Sequence, residues 1–427
     1  MTYEAVVFDL DGTLTDSAPG IMASTRYALE TMRLPVPPET VMRSFLGPPL
    51  AESFMRCCGM SKEQAVEVTG HYRERYHATG WLENQVYPGI RPLLSALRQA
   101  GARLSVATGK PQEASIKILE HFGLAGFFDS IIGPQANDYL VSKRDMISLS
   151  LEGFQGRAVM IGDRDIDIYG ARQVGIDSIG VAYGYGSREE LGNAQPAALV
   201  SSVDELYELL GISKSKQKGF FISFEGNDGC GKSTQVEKLG MFLRSFGYDV
   251  LLTREPGGSN IAERIRTILL DPQTIGMSDM TEAYLYGAAR AQHVREVVLP
   301  ALDAGRIVIS DRYVDSSVAY QGAGRQLGMR LVEQLNAPAI DGCLPDLTIL
   351  LDIDARAAMQ RRQIATGADR IEMQSDAFHA RVEQGFHQLA KENSERYAVI
   401  SANADIETIA GRVTEIVLAR LREADLF

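Results

Sequence analysis

The chain has 427 residues, enough for two or three domains, and its 45% hydrophobic and 23% charged content is ordinary for a globular protein. This composition excludes a disordered, collagen-like or coiled-coil chain. With 55 acidic against 43 basic residues and a formal charge of -12, counterion release gives no drive towards nucleic acid, which is not an expected partner. Cys57, Cys58, Cys230 and Cys343 have neither disulfide-framework nor zinc spacing, which points to reduced thiols and a cytoplasmic protein. A strand-like run, Ala5 to Phe8, opens the sequence in place of a basic and apolar leader, and no membrane span is expected.

In chain order, Val6-Val7-Phe8 reads as a buried strand running into Asp9-Leu10-Asp11-Gly12-Thr13-Leu14. Residues from about 17 to 86 read as a helical insert, broken by Pro35, Pro37 and Pro38, that would cap the sheet. Strand patterns resume at 104–107, 130–132, 158–161 and 178–181, with helical segments between them. The polar, lysine-rich stretch 213–219 reads as a linker. Strand patterns then recur at 220–224, 250–252, 307–309, 347–351 and 397–400, and 406–421 reads as an amphipathic helix. The expected class is α/β, with two doubly wound parallel-sheet domains at 1–212 and 220–427.

In the first half, strand alternation points Asp9 and Asp11 to one side, and Gly12 lets the chain turn away. Thr108 follows another strand, Lys143 lies further on, and Gly162-Asp163-Arg164-Asp165-Ile166-Asp167 ends a third. In a doubly wound sheet these strand ends converge on one crevice, and an oxygen-rich cluster there suits Mg²⁺. The chemistry expected is attack by Asp9 on phosphorus to give an aspartyl-phosphate that water hydrolyses. Asp11 would act as acid and then base, while Thr108 and Lys143 hold the phosphoryl oxygens. Lys143 is preferred to Lys110 as the balancing cation, and Lys110 is expected to contact substrate. The motif set resembles the haloacid-dehalogenase-type phosphatases, and the helical insert resembles the small cap of phosphoglycolate phosphatases and of 5'-nucleotidases with this fold. That resemblance implies metal ligation by Asp9, the main-chain carbonyl of Asp11 and Asp163, with Asp167 supporting them.

In the second half, Gly226-Asn227-Asp228-Gly229-Cys230-Gly231-Lys232-Ser233-Thr234 fits GxxxxGK[ST] between a strand and a helix. Its amides would cradle the β-phosphate of a nucleoside triphosphate, Lys232 would reach the β and γ oxygens, and Ser233 would take Mg²⁺. Tyr286 and Arg290, four apart on a helical stretch, share one face. Thr253-Arg254-Glu255-Pro256-Gly257-Gly258 and Ser310-Asp311-Arg312-Tyr313 each follow a strand, and Ser316, Ser317, Tyr320 and Gln321 continue the second segment.

Together with LPDLTILLDID and ADRIE, these segments resemble bacterial thymidylate kinases over about residues 219 to 423. The resemblance implies ATP and Mg²⁺ as cofactors, transfer of phosphate from ATP to dTMP, and a homodimer formed through this half. By the same resemblance Tyr286 would stack on thymine, Arg290 and Arg312 would grip the dTMP phosphate, and Tyr320 would crowd the 2' position. Ser317 and Gln321 would lie near the base and Asp228 near the 3'-hydroxyl or the metal shell, with Arg254, Asp311 and Ser316 completing the acceptor set.

Gly229 stands where some members carry a P-loop arginine, so Arg325, on the glycine-flanked stretch Gly322-Ala323-Gly324, is expected to serve as a lid arginine. Asp369 and Glu372 read as ligand contacts or structural caps, and Arg361 and Arg362 as adenine neighbours or ion-pair partners. The reading is a bifunctional enzyme whose phosphatase half acts on an unidentified phosphate monoester. Two alternatives stay open: a non-catalytic docking module in the first half, or a modified deoxyuridylate as the kinase acceptor.

Overall fold

The computed structural model describes all residues except 48–49, 136–140, 214–217, 354–369, 372, 425 and 427. The expectations for Arg361, Arg362, Asp369 and Glu372 fall outside the described residues, as does most of the expected linker. The chain divides into two compact units, Met1–Ser215 with Ser245–Gly247, and Lys216–Arg244 with Tyr248–Phe427. Among the described residues no helix is long and apolar enough to cross a membrane.

The strands of the first unit are β1 (Ala5–Phe8), β2 (Thr15–Asp16), β3 (Gln85–Val86), β4 (Arg103–Ala107), β5 (Ser130–Ile132), β6 (Ala158–Gly162), β7 (Asp177–Val181) and β8 (Ala198–Val200). Six form a parallel sheet in the order β5-β4-β1-β6-β7-β8. β1 is an interior strand between β4 and β6, and its unbroken apolar run Val6-Val7-Phe8 is wholly buried, as expected of a parallel sheet covered on both faces. Phe8 is level with Val106 on β4 and Ile161 on β6, which sets Asp9, Thr108 and Asp163 at neighbouring strand ends. The short antiparallel pair β2–β3 forms the neck of the helical insert, whose own core includes Leu29, Phe45, Phe54 and Tyr72. Neither neck strand shows an apolar run, and the pair was not legible as strand. β8, Ala198-Leu199-Val200, is apolar but only three residues long, too short to stand out as a strand pattern.

The second unit contains β9 (Phe220–Glu225), β10 (Val250–Arg254), β11 (Ile307–Asp311), β12 (Leu347–Asp352) and β13 (Tyr397–Ser401), all parallel, in the order β10-β11-β9-β12-β13. All five strand patterns in this half of the sequence coincide with strands. The sheet reverses direction of winding at β9, so the loop after it opens into the crevice where α/β sheets bind ligands. Helix Lys232–Ser245 packs Val236, Leu239 and Leu243 against Ile222, Phe224 and Ile349, and each such side chain contributes about 1.5–3 kcal/mol on burial.

The stretch around Gly322 and Gly324, expected as a glycine-hinged lid, is helical in this structure. Val318–Gly324 is a π-helix, and its glycines serve close packing. A Cβ on Gly324 would lie 2.7 Å from the Phe378 ring and 2.8 Å from Val382, and one on Gly322 would lie 2.9 Å from the backbone of Met329.

Candidate functional sites

In the first unit, Asp9, Asp163 and Asp167 each present a carboxylate oxygen within 4.8 Å of the others. Lys143 Nζ lies 2.9 Å from Asp9 Oδ1 and 2.7 Å from Asp167 Oδ1, and donates to Ala107 O at 2.9 Å. Lys143 is the first residue of helix Lys143–Ser150, which Ser142 caps by accepting from Asp145 N. An ammonium is electrostatically unfavourable at a helix N-terminus, so the carboxylates and not the helix account for its position. Burial disfavours its charge, but Asp167 and Asp9 outweigh that and hold it above the usual lysine range. Gly170 makes the space: a Cβ there would lie 2.9 Å from Lys143 Cγ.

Three carboxylates facing one ammonium leave two negative charges uncompensated. Burial, then the Asp9 and Asp167 charges, push Asp163 well above the usual carboxylate range. Burial also pushes Asp167 up, to about 6, against the pull of Lys143. Oxygen donors with a deficit of two positive charges fit a divalent cation such as Mg²⁺. The chain is shaped to keep these oxygens together. Gly12 sits at φ 86°, where a Cβ would overlap the Asp163 carboxylate, while Thr13 Oγ1 and Tyr185 N donate to Asp163 at 3.3 and 2.7 Å.

Asp11 faces a different cation. Lys110 Nζ lies 2.9 and 3.2 Å from its two oxygens, a pairing the sequence did not reveal. Thr108 is buried beside this pair, its Oγ1 accepting from Lys110 N at 3.3 Å. Among the cap arginines, Arg56 donates to Ser44 O and Arg75 is bidentate on Glu83.

In the second unit, Gly226, Gly229 and Gly231 take φ values of 135°, 86° and 98°, which is why this loop needs glycine at those places. Lys232 opens helix Lys232–Ser245 and folds back on the carbonyls of Gly226 and Asn227 at 3.1 and 3.0 Å. Ser233 Oγ donates to Asp311 Oδ2 at 2.5 Å. Asp311, expected on the acceptor side, thus stands beside the hydroxyl expected to hold Mg²⁺, because the end of β11 is level with Phe224 at the end of β9.

Asp228, Lys232, Arg254, Tyr286, Arg312 and Gln321 are among the residues lining one cavity of about 230 Å³, which Arg290, Ser316, Ser317 and Tyr320 also border. Arg312, at φ 70°, bonds Asp228 Oδ1 at 2.5 Å, Tyr320 Oη at 3.2 Å, Ser316 Oγ at 2.9 Å and Gly226 O at 3.1 Å. Tyr320 donates to Asp228 Oδ2 at 2.8 Å.

Arg290, expected to act like Arg312, is set differently. It is 2% exposed and its donors go to Glu255 Oε2 at 2.7 Å, Ser317 Oγ at 3.1 Å, Tyr313 O at 3.3 Å and Asn336 Oδ1. Arg254 reaches Glu263 at 3.1 Å. Arg325 does not border the cavity. It is held by Glu282 Oε2 at 3.0 Å, Asp279 at 3.4 Å and Gln374 at 2.7 Å, above the ring of Phe378.

Behind the cavity stand buried acids that nothing in the local sequence pattern marked. Glu225, pushed up to about 8 by burial and then by Asp315, accepts from Tyr313 N at 2.8 Å and Ser316 Oγ at 2.5 Å. Glu282 takes Gln321 Nε2 at 2.9 Å on one oxygen and Arg370 at 2.7 Å on the other. A carboxylate accepts only, so the amide nitrogen of Gln321 must face Glu282. Its Oε1 is thereby fixed as a buried acceptor, and that oxygen has no hydrogen-bond partner.

A glycine-rich phosphate loop at the switch point of one sheet and a carboxylate cluster at that of the other define a P-loop phosphotransferase joined to a hydrolase. Residues 224–413 match the family model described as thymidylate kinase, and residues 6–181 the model described as haloacid dehalogenase-like hydrolase. The chain is 47% identical over 206 residues to a thymidylate kinase of Geobacillus sp. (strain WCH70), covering 48% of this chain and 98% of that one. It is 46% identical over 209 residues to a thymidylate kinase of Geobacter sulfurreducens, with 48% and 98% covered.

Among solved structures, a protein from Clostridium acetobutylicum described as a predicted phosphatase is 45% identical, and the match covers 49% of this chain and 99% of that one, at a TM-score of 0.46. A thymidylate kinase from Ehrlichia chaffeensis is 33% identical and covers 47% and 99%, at a TM-score of 0.39. Through its C-terminal half the chain belongs to the thymidylate kinase family, and it carries a haloacid dehalogenase-like hydrolase in its N-terminal half.

Proposed function

We propose that the chain is a two-activity enzyme, with residues 220–427 phosphorylating dTMP to dTDP at the expense of ATP and residues 1–212 hydrolysing a phosphate monoester. The observation that carries the choice of acceptor is the lone acceptor oxygen of Gln321. Thymine offers a donor at N3 and cytosine an acceptor, so a buried acceptor favours the first and leaves the second unpaired. Tyr286 provides the ring face, Arg312 the cation for the acceptor phosphate, and Tyr320 the crowding that disfavours a ribose. The P-loop amides and Lys232 hold the triphosphate, and Ser233 with Asp311 would hold Mg²⁺. The test is kcat/KM on dTMP, dUMP and dCMP with ATP. A preference for dTMP over dCMP below about tenfold, less than one matched buried hydrogen bond provides, would sink this assignment.

In the hydrolase half, Asp9 Oδ2, the oxygen not bonded to Lys143, attacks phosphorus as the ester P–O bond breaks, and Asp11 gives a proton to the departing oxygen. Water then attacks the aspartyl-phosphate, its proton passes to Asp11, and inorganic phosphate leaves with the Asp9 carboxylate restored. Asp9, Asp163 and Asp167 would hold a divalent cation, whose charge lets an anionic ester approach an anionic nucleophile. For Asp11 to carry its first proton, the substrate must draw Lys110 away, which assigns Lys110 to substrate binding. A substrate other than dTMP avoids opposing the kinase, and dTMP proving the best of a panel of phosphate esters would refute that. We further propose a cytoplasmic homodimer formed through the kinase half, to be tested by sedimentation.

A further inference from the structure

His293 is fully buried, 0% exposed, and the reaction described above gives it no task. It ends helix Asp279–His293, where the coil widens into the π-helix Val294–Val298, and it stands three residues after Arg290 on the same face. The two side chains grip one carboxylate between them. Glu255 Oε2 accepts from Arg290 Nε at 2.7 Å and Glu255 Oε1 from His293 Nδ1 at 2.9 Å. On the far side of the ring, His293 Nε2 lies 2.7 Å from Thr253 Oγ1. Gly258, at φ 81°, presses against this contact, and a Cβ there would lie 2.6 Å from both the ring and Thr253 Oγ1.

The chemistry of the chain fixes the proton. Glu255 can only accept, so Nδ1 carries hydrogen and donates to it, while Nε2 and Thr253 Oγ1 share the second hydrogen bond of the ring. Thr253, His293, Glu255 and Arg290 form one connected series ending on the guanidinium that borders the acceptor cavity. With both Glu255 oxygens engaged, the carboxylate cannot rotate. Arg290 is thereby held in one plane, its other donors on Ser317, Asn336 and the carbonyl of Tyr313. We infer that His293 is a positioning residue for the acceptor nucleotide, acting through Glu255 on Arg290 and oriented by Thr253. This rests on the dTMP kinase reading above.

The test is steady-state kinetics on the full chain with dTMP and ATP varied separately. Asparagine at 293 can still donate to Glu255 from the Nδ1 position, whereas glutamine reaches towards Thr253 and loses Glu255. His293→Gln is expected to raise KM for dTMP about tenfold, with kcat and KM for ATP within about twofold, and His293→Asn to restore it to within about threefold. Thr253→Val, close to isosteric, keeps the test open should the His293 variants fail to fold; it is expected to raise the dTMP KM about fivefold. Equal rises in His293→Gln and His293→Asn, a matching rise in KM for ATP, or an unchanged dTMP KM in Thr253→Val would overturn the inference. The wild-type rate on dTMP is measured first, and its absence would instead overturn the activity on which the inference stands.

Discussion

Glu282→Gln tests the acceptor pocket through a group that does not border it. In the native site both Glu282 oxygens face donors, from Arg325, Arg370 and Gln321, which leaves Gln321 Oε1 as a buried acceptor without a partner on a residue that borders the cavity. An amide at 282 keeps its oxygen on Arg370 and on Arg325 Nη2 and turns its nitrogen towards Gln321, giving up the bond from Arg325 Nε. Gln321 then rotates to accept that hydrogen bond, and its own nitrogen faces the base. Thymine N3–H loses a matched bond worth about 1 kcal/mol and meets a buried donor that costs about 1–3 kcal/mol more. The sum, about 2–4 kcal/mol, corresponds to a fall of roughly 30- to 1000-fold in the ratio of kcat/KM for dTMP over dCMP. The variant also leaves two half-buried guanidiniums with no carboxylate from 282, at a cost below the roughly 3–5 kcal/mol of a fully buried pair, so the melting temperature of the kinase half must fall while it stays folded at 25 °C. The assay is competition between the two nucleotides in one reaction. A folded variant whose ratio stays within about threefold of wild type would refute the reasoning.

Further outcomes follow from other parts of the structure. Gly12→Ala places a Cβ against Asp163 at a backbone angle that costs about 1–2 kcal/mol, and phosphate release should be lost with dTDP formation intact. Lys143→Met removes the ammonium shared by Asp9 and Asp167, and should lower hydrolysis by about 100-fold or more, read as phosphate release. Arg325→Met should weaken the kinase half against denaturant with little change in kcat, since its guanidinium is spent on Glu282; an unchanged unfolding midpoint with kcat down about 100-fold would restore it to the transition state. Glu225 binds its proton more tightly folded than unfolded, so its contribution is complete below about 4.5 and lost as pH rises towards 8. The unfolding midpoint of the kinase half should therefore fall from pH 5 to 8, and Glu225→Gln should flatten that slope.

What the sequence disclosed is what local geometry demands of local residues. The P-loop needs glycine at 226, 229 and 231 because the backbone there is left-handed, and Asp9 and Asp11 stand out because they end an apolar strand at β spacing. Lys143 was legible as a residue type, but the groove that Gly170 opens for it depends on a helix packed alongside. The buried acids had no such signature. Glu225, Glu255 and Glu282 sit on three elements, and only the fold brings Tyr313, His293 and Arg370 to them. The packing of the segment before Arg325 was hidden for a related reason. Glycines at 322 and 324 look alike in sequence whether they bend or pack, and the residues that decide, Phe378 and Val382, lie more than fifty positions later.

The central claim is that one chain holds two separate active sites. The most direct measurement takes the full chain, Asp9→Asn and Lys232→Met through two assays with Mg²⁺: phosphate release from p-nitrophenyl phosphate without ATP, and dTDP formation from dTMP with ATP. The account predicts that Asp9→Asn loses only the first activity and Lys232→Met only the second, each by about 100-fold or more. Undiminished phosphate release by Asp9→Asn, or undiminished dTDP formation by Lys232→Met, would contradict it.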